Sequence, residues 1–230
     1  MPEWEISFEE YLERMQFSPE RFKKQLRLPK INSIRKVIPL RNMVEISSII
    51  PLRKDFLEKI IRGINAVDKT LKPFEFSEIK LVKADPNQLK IGQKFVYREN
   101  YQNLLEEMPR IFDKFFLSAG FCDLGALMIF GFDARKSYCL AYYIPPIIEK
   151  HEKEMVIMDG IHRNFINRQM GHTLNAILVE NVRVPFPCSL HSWDEIQIMS
   201  LKDKPKDINK RYFDLNAKLF RDLKYLGIDG

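Results

Sequence analysis

Residues 155 to 164 read Met155-Val-Ile-Met-Asp159-Gly160-Ile161-His162-Arg163-Asn164. The first four are apolar and fit one short buried strand, and a helical pattern starts directly after the Asp-Gly pair. Gly160 lets the backbone turn sharply and approach a ligand closely. The first amides of the helix have no partner within it, and the helix dipole favours negative charge in front of them. His162 and Arg163 add two side-chain donors to that turn, and a guanidinium can fork onto two phosphate oxygens. The pattern is that of a phosphate site. Asp159, at the carboxyl end of the strand, has three uses open to it: orienting His162, accepting from a ribose hydroxyl, or holding Mg²⁺. Asn164 and Asn167 follow one turn apart, with Asn164 the nearer candidate for a ligand contact. The competing reading is a plain helix cap, with Asp159 bonded to backbone amides.

Outward from this turn, a helix over Gly160–Met170 leads to a strand at Asn175–Val179. Upstream, Ile79–Val82 reads as a strand and Asp85-Pro-Asn as a turn. Tyr101–Leu117 reads as a helix that Pro109 kinks or divides. Leu127–Phe132 and Tyr138–Tyr143 read as a hairpin around Asp133-Ala-Arg-Lys, ended by Pro145-Pro146. Strands mixed with helices over residues 74–185 predict an α/β (α+β) core there. Residues 1–73 read as a basic, mainly helical extension. Ser7 and Glu10 form a capping-box pattern before Phe8, Leu12, Met15 and Phe22, Ser18-Pro19-Glu20 restarts a helix, and residues 53–68 are amphipathic. Between these, residues 28–52 are broken by three prolines and read as loop or short strand. They contain an echo, Ile38-Pro-Leu-Arg41 and Ile50-Pro-Leu-Arg53, too short to mark a repeat architecture. Residues 186–230 read as proline-rich loop and a last helix near Tyr212–Leu226, packed on the core.

Composition narrows the class. With 45% hydrophobic residues, including 17 Phe, the chain can build a core, so disorder throughout is excluded. No apolar run approaches the roughly 20 residues that span a bilayer, and Met1-Pro-Glu-Trp-Glu has neither a basic nor an apolar signal region. Three cysteines at no metal-like spacing, Cys122, Cys139 and Cys188, fit a reducing, cytoplasmic setting. Cys188-x-x-His191 lacks a second pair, so no zinc site is expected. No nucleotide-binding G-x-x-x-x-G-K-[ST] or G-x-G-x-x-G loop occurs. Phe112, Phe115 and Phe116 read as core rather than as a base-stacking platform. Arg168 reads as a solvated helix charge, and Trp193 and Tyr212 as candidates to flank a cleft.

The formal net charge is +6. Residues 20–41 hold eight bases (Arg21, Lys23, Lys24, Arg27, Lys30, Arg35, Lys36 and Arg41) against Glu20 alone, a local +7. Such a stripe can bind nucleic-acid phosphates by counterion release, or it can be a solvated helical face.

Asp159-Gly160-Ile161-His162-Arg163, then Gly171 eight residues after the arginine, then Asn175–Val179, resembles the signature of the ParB/sulfiredoxin superfamily. The resemblance is strong over residues 155–180. It runs loosely back to Ile79 through Asp85-Pro, the Tyr101 helix, Gly120 and the Tyr138–Ile144 strand with Pro145-Pro146, so it covers about half the chain. It implies a mixed sheet with flanking helices, a nucleotide such as ATP, with Mg²⁺ as a candidate companion, and phosphate contacts at Gly160, His162 and Arg163. Sulfiredoxins carry Cys where this chain has Ile161, which argues against sulfinic-acid repair. ParB-type partition proteins bind CTP and continue into a helix-turn-helix region, for which the 50 or so residues after Val179 leave little room. The turn is closest to a branch of free-serine kinases, and a further branch contains proteins of DNA modification and plasmid maintenance.

The function expected on this basis is a nucleotide-dependent phosphotransferase acting on a small hydroxyl-bearing molecule. Gly160, His162, Arg163 and Asn164 would bind the nucleotide, with Asp159 and Glu149 catalytic and Glu149 the general base. The alternative is a ParB-like DNA-binding or DNA-processing module whose nucleic-acid partner meets the basic segment 20–41.

Overall fold

The computed structural model describes residues 5–26, 33–112 and 125–226. In chain order the strands are β1 (Ile6–Ser7), β2 (Lys36–Val37), β3 (Met43–Pro51), β4 (Glu78–Ala84), β5 (Phe95–Tyr97), β6 (Leu127–Asp133), β7 (Tyr138–Tyr143), β8 (Ile147–His151), β9 (Glu154–Asp159), β10 (Leu174–Glu180) and β11 (Gln197–Met199). The α-helices are α1 (Phe8–Arg14), α2 (Pro19–Leu26), α3 (Lys54–Arg62), α4 (Arg98–Phe112) and α5 (Ile161–Gln169). The protein is a mixture of α and β with mixed sheets. It sorts into two compact units, residues 1–65, 125–144 and 222–230 in one and 66–124 and 145–221 in the other. No described helix is long and apolar enough to cross a membrane.

The first unit is built on a five-stranded sheet in the order β1-β2-β7-β6-β3, parallel only between β2 and β7. The β6–β7 hairpin matches its sequence signal. Asp133 turns it by accepting from the amides of Arg135 and Ser137 at 2.9 and 2.8 Å. Ser7 caps α1 by accepting from the Glu10 amide at 3.1 Å, but the Glu10 carboxylate pairs with Arg14 and leaves the capping box half made. The proline-broken stretch holds the nine-residue β3. The two echoed tetrapeptides flank it: the first leads in through a 3₁₀ turn at Leu40–Asn42, and the second supplies Pro51, the strand's last residue. Proline is tolerated there because β3 is an edge strand.

The second unit holds the Asp-Gly turn. Its four-stranded sheet runs β4-β10-β8-β9, with β10 and β8 parallel and the other pairs antiparallel. A small parallel pair, β5 with β11, sets Met199 opposite Tyr97. The core gathers Leu89, Ile91, Val96, Ile148, Ile157 and Leu174 beneath α5, which buries Ile161 and Phe165, four residues apart on one helical face.

Two expectations need correction. The hairpin falls in the first unit, so residues 74–185 do not make one continuous core. Tyr212–Leu226 is no α-helix but irregular chain with 3₁₀ turns at Ala217–Leu219 and Leu223–Leu226. Its backbone bonds elsewhere: the amides of Val67 and Asp68 donate to the carbonyls of Phe220 and Lys218 at 2.8 and 3.0 Å. Its rings are taken too, Phe213 stacking on His191 at 3.7 Å and Tyr212 meeting Phe220 edge-on at 5.2 Å. Helix α4 runs past Pro109, and the rest of its expected span, with Phe115, Phe116, Gly120 and Cys122, lies outside the described residues.

Candidate functional site

Strand β9 delivers Asp159 to the sheet edge opposite Ile147, and α5 starts two residues later. Gly160 between them has φ +84°, in the left-handed region, and a Cβ there would lie 2.8 Å from Cβ and 2.9 Å from Cγ of Pro146. The turn therefore needs glycine twice, for its dihedral and for the proline beneath it. Pro146 is itself tied down, its carbonyl accepting from the Ile177 amide at 2.8 Å. Gly171 ends the helix with φ +66°, open space around its missing side chain, and the His172 amide bonded back to the Asn167 carbonyl at 2.8 Å.

The side chains of the turn divide by role. Asp159 is 6% exposed, and its Oδ2 lies 3.3 Å from Arg163 Nη2. That bond, one helical turn long, positions the guanidinium. Asn164 and Asn167 are fully buried and donate back to the carbonyls of Gly160 and Arg163 at 3.0 and 2.9 Å. Asn164 Oδ1 is left buried without a hydrogen-bond partner.

His162 is turned toward β5. Its Nε2 accepts from the Tyr97 amide at 3.0 Å, so the ring is neutral with its proton on Nδ1. Burial first, then the positive charges of Lys204 and Arg163, push the imidazole down to about 4 from an ordinary 6.5. The unfolded chain therefore takes up the proton first as pH falls. The stability this neutral ring contributes is whole above about 6.5 and lost toward about 4. That shift corresponds to about 3 kcal/mol. Denaturant titrations at pH 7 and 4.5 should show wild type losing about 2–3 kcal/mol more than His162→Gln over that interval; parallel losses would contradict the buried neutral imidazole.

Tyr97 and Lys204 join the turn without any sequence signal. The β5–β11 pairing brings residues 197–199 alongside, and Glu99 then accepts from the Ser200 hydroxyl at 2.6 Å and the Leu201 amide at 2.7 Å. Lys204 Nζ ends 5.0 Å from the Tyr97 ring centre, and the Tyr97 and His162 rings are 6.0 Å apart. The Tyr97 side chain is 6% exposed, and its hydroxyl has no hydrogen-bond partner. Burial raises the pKa of that hydroxyl, with the Arg211 charge opposing. One sequence shows Lys204 only as a lysine in a proline-rich stretch and Tyr97 only as one of three apolar residues before a helix.

Glu149 has a different occupation from the one expected. It is wholly buried on β8; its Oε1 accepts from Arg221 Nε at 2.9 Å and its Oε2 from Arg221 Nη2 at 2.7 Å, with His151 Nε2 also 2.7 Å from Oε2. Arg221, 3% exposed, also donates to the carbonyls of Val184, Pro185 and Leu219. The pair straps the C-terminal segment to the sheet, and a general base needs a carboxylate less fully engaged. His191 stacks on Phe213 and meets Glu195 at 2.7 Å, while burial pushes the Cys188 thiol up to about 12. Of the basic segment, residues 27–32 lie outside the described residues, and Lys36 is held by Glu5 and Asp133 at 2.6 and 2.9 Å.

Set against known protein families, curated proteins and solved structures, the chain matches none of them.

Proposed function

We propose that the Asp159–Asn164 turn binds the phosphates of a nucleotide and that the protein is a nucleotide-dependent phosphotransferase acting on a small hydroxyl-bearing molecule. The observation that carries this reading is the turn itself: Gly160, at φ +84°, opens α5 beside Arg163, which Asp159 holds, and the buried Asn164 Oδ1 has no hydrogen-bond partner. A buried polar atom without a partner costs about 1–3 kcal/mol, and a ligand hydroxyl or amine at this turn would remove that cost. The turn's likeness to the ParB/sulfiredoxin signature supports a nucleotide as the source of the phosphates.

Phosphoryl transfer asks a protein chiefly for positioning and charge neutralisation. The bound nucleotide supplies the phosphoryl group. The first amides of α5 hold its oxygens. Arg163, steadied by Asp159, forks onto them, and Lys204 offsets their charge. His162 is neutral at pH 7 and donates from Nδ1; it is a hydrogen-bond donor here and not a proton acceptor. Asn164 Oδ1 accepts from a ligand hydroxyl or amine. Glu149, engaged by Arg221, has no part in the scheme.

Calorimetric titration of ATP, ADP and CTP, with and without Mg²⁺, tests the reading. Wild type should bind at least one of them, and Arg163→Ala should weaken that binding by about tenfold to a hundredfold. Absence of binding to all three, or an unchanged affinity in Arg163→Ala, would remove the phosphate assignment.

A further inference from the structure

Five residues beyond Arg163, and so about 7.5 Å further along the helix axis, Arg168 lines a pocket of about 210 Å³ between the 3₁₀ turns Pro86–Gln88 and Trp193–Glu195. The sequence suggests a solvated charge here, but the Nε of Arg168 is buried and has no hydrogen-bond partner. Its guanidinium stacks on the Trp193 indole, 5.6 Å from the ring centre. The indole is fixed in turn, 5% exposed and donating from Nε1 to the Pro86 carbonyl at 2.7 Å. Lys90 joins the lining, its backbone bonded to β9 through Met155 and Ile157 at 2.8 and 3.0 Å. The pocket is thus walled by anchored elements, and the guanidinium edge is pre-set by the stacking, which is the arrangement that suits a planar two-oxygen ligand.

The lining holds two cations, Lys90 and Arg168, and one acid, Asp194. That balance favours a monoanion over a phosphate dianion. Asn87 and Ser192 offer an amide and a hydroxyl for further polar groups. The space equals roughly seven water molecules at about 30 Å³ each, which admits a small metabolite. We propose that this pocket binds a small polar carboxylate, with Arg168 forking onto its two oxygens and Lys90 adding charge at the rim. The site is separate from the phosphate turn and does not depend on it.

The test uses full-length protein carrying Trp4→Phe, which leaves Trp193 as the only indole. Sodium glycolate, sodium lactate and inorganic phosphate are titrated at pH 7 while the ¹⁵N–¹H indole resonance is followed. A saturable shift with a carboxylate is expected, weakened about tenfold to a hundredfold by Arg168→Gln and unaltered by Arg163→Gln. Arg168→Lys keeps the charge but not the fork, and should weaken binding as well; it carries the test if Arg168→Gln does not fold. No saturable shift with either carboxylate, tighter binding of phosphate, or full affinity in the tested Arg168 variant would overturn the proposal. Because Arg163→Gln is read in parallel, loss of one site is distinguished from loss of the other.

Discussion

Arg221→Ala should destabilise the protein by about 3–5 kcal/mol, the largest effect expected of any single substitution here. The guanidinium and the Glu149 carboxylate are 1% and 0% exposed, so removing the arginine strands a buried charge. The carbonyls of Val184, Pro185 and Leu219 lose a donor at the same time. The cost lies in the stranded partner more than in the lost attraction. Glu149→Gln combined with Arg221→Met should therefore cost clearly less than the sum of the single changes, and denaturant melts of the four proteins would show the coupling. Additive losses would mean that the two side chains do not act as a pair. The same cycle separates two roles for Glu149. A strap residue loses stability when altered, whereas a general base loses turnover at nearly constant stability.

Gly160→Ala should cost about 2–4 kcal/mol, from the left-handed dihedral and the overpacking against Pro146 together. Gly171→Ala provides an internal control, since its φ of +66° is similar but nothing lies within 4 Å of the added carbon. It should cost only about 1–2 kcal/mol. The difference between the two variants isolates the Pro146 contact. Relief of that contact also moves the first amides of α5, so Gly160→Ala should lose nucleotide affinity that Gly171→Ala keeps. Equal destabilisation by the two would show that the ring beneath the turn does not constrain it.

What could be read from the sequence follows from how local each signal is. The Asp-Gly turn, the helix to Gly171, the β6–β7 hairpin and the Ser7 cap each rest on residues within a few positions of one another, and each stands in the structure. Strand β3 was obscured because an edge strand carries proline and shows no clean alternation of burial. The C-terminal segment has helix-like apolar spacing, but Phe213 stacks on His191 and the Phe220 carbonyl accepts from the Val67 amide, contacts far along the chain. The site splits the same way. Asp159, Gly160, His162, Arg163 and Asn164 were legible as one run, whereas Tyr97 and Lys204 reach them only through the β5–β11 pairing and the Glu99 bonds. Glu149 shows the reverse: expected to act as the general base, it is paired with an arginine 72 residues away.

The most direct test of the phosphate turn is an amide-resolved NMR titration of ¹⁵N-labelled protein with ATP and with CTP. The amides of Ile161, His162 and Arg163 should shift saturably with at least one nucleotide, together with that of Tyr97, which is bonded to His162. Shifts confined to residues away from this turn, or none at all, would contradict the account.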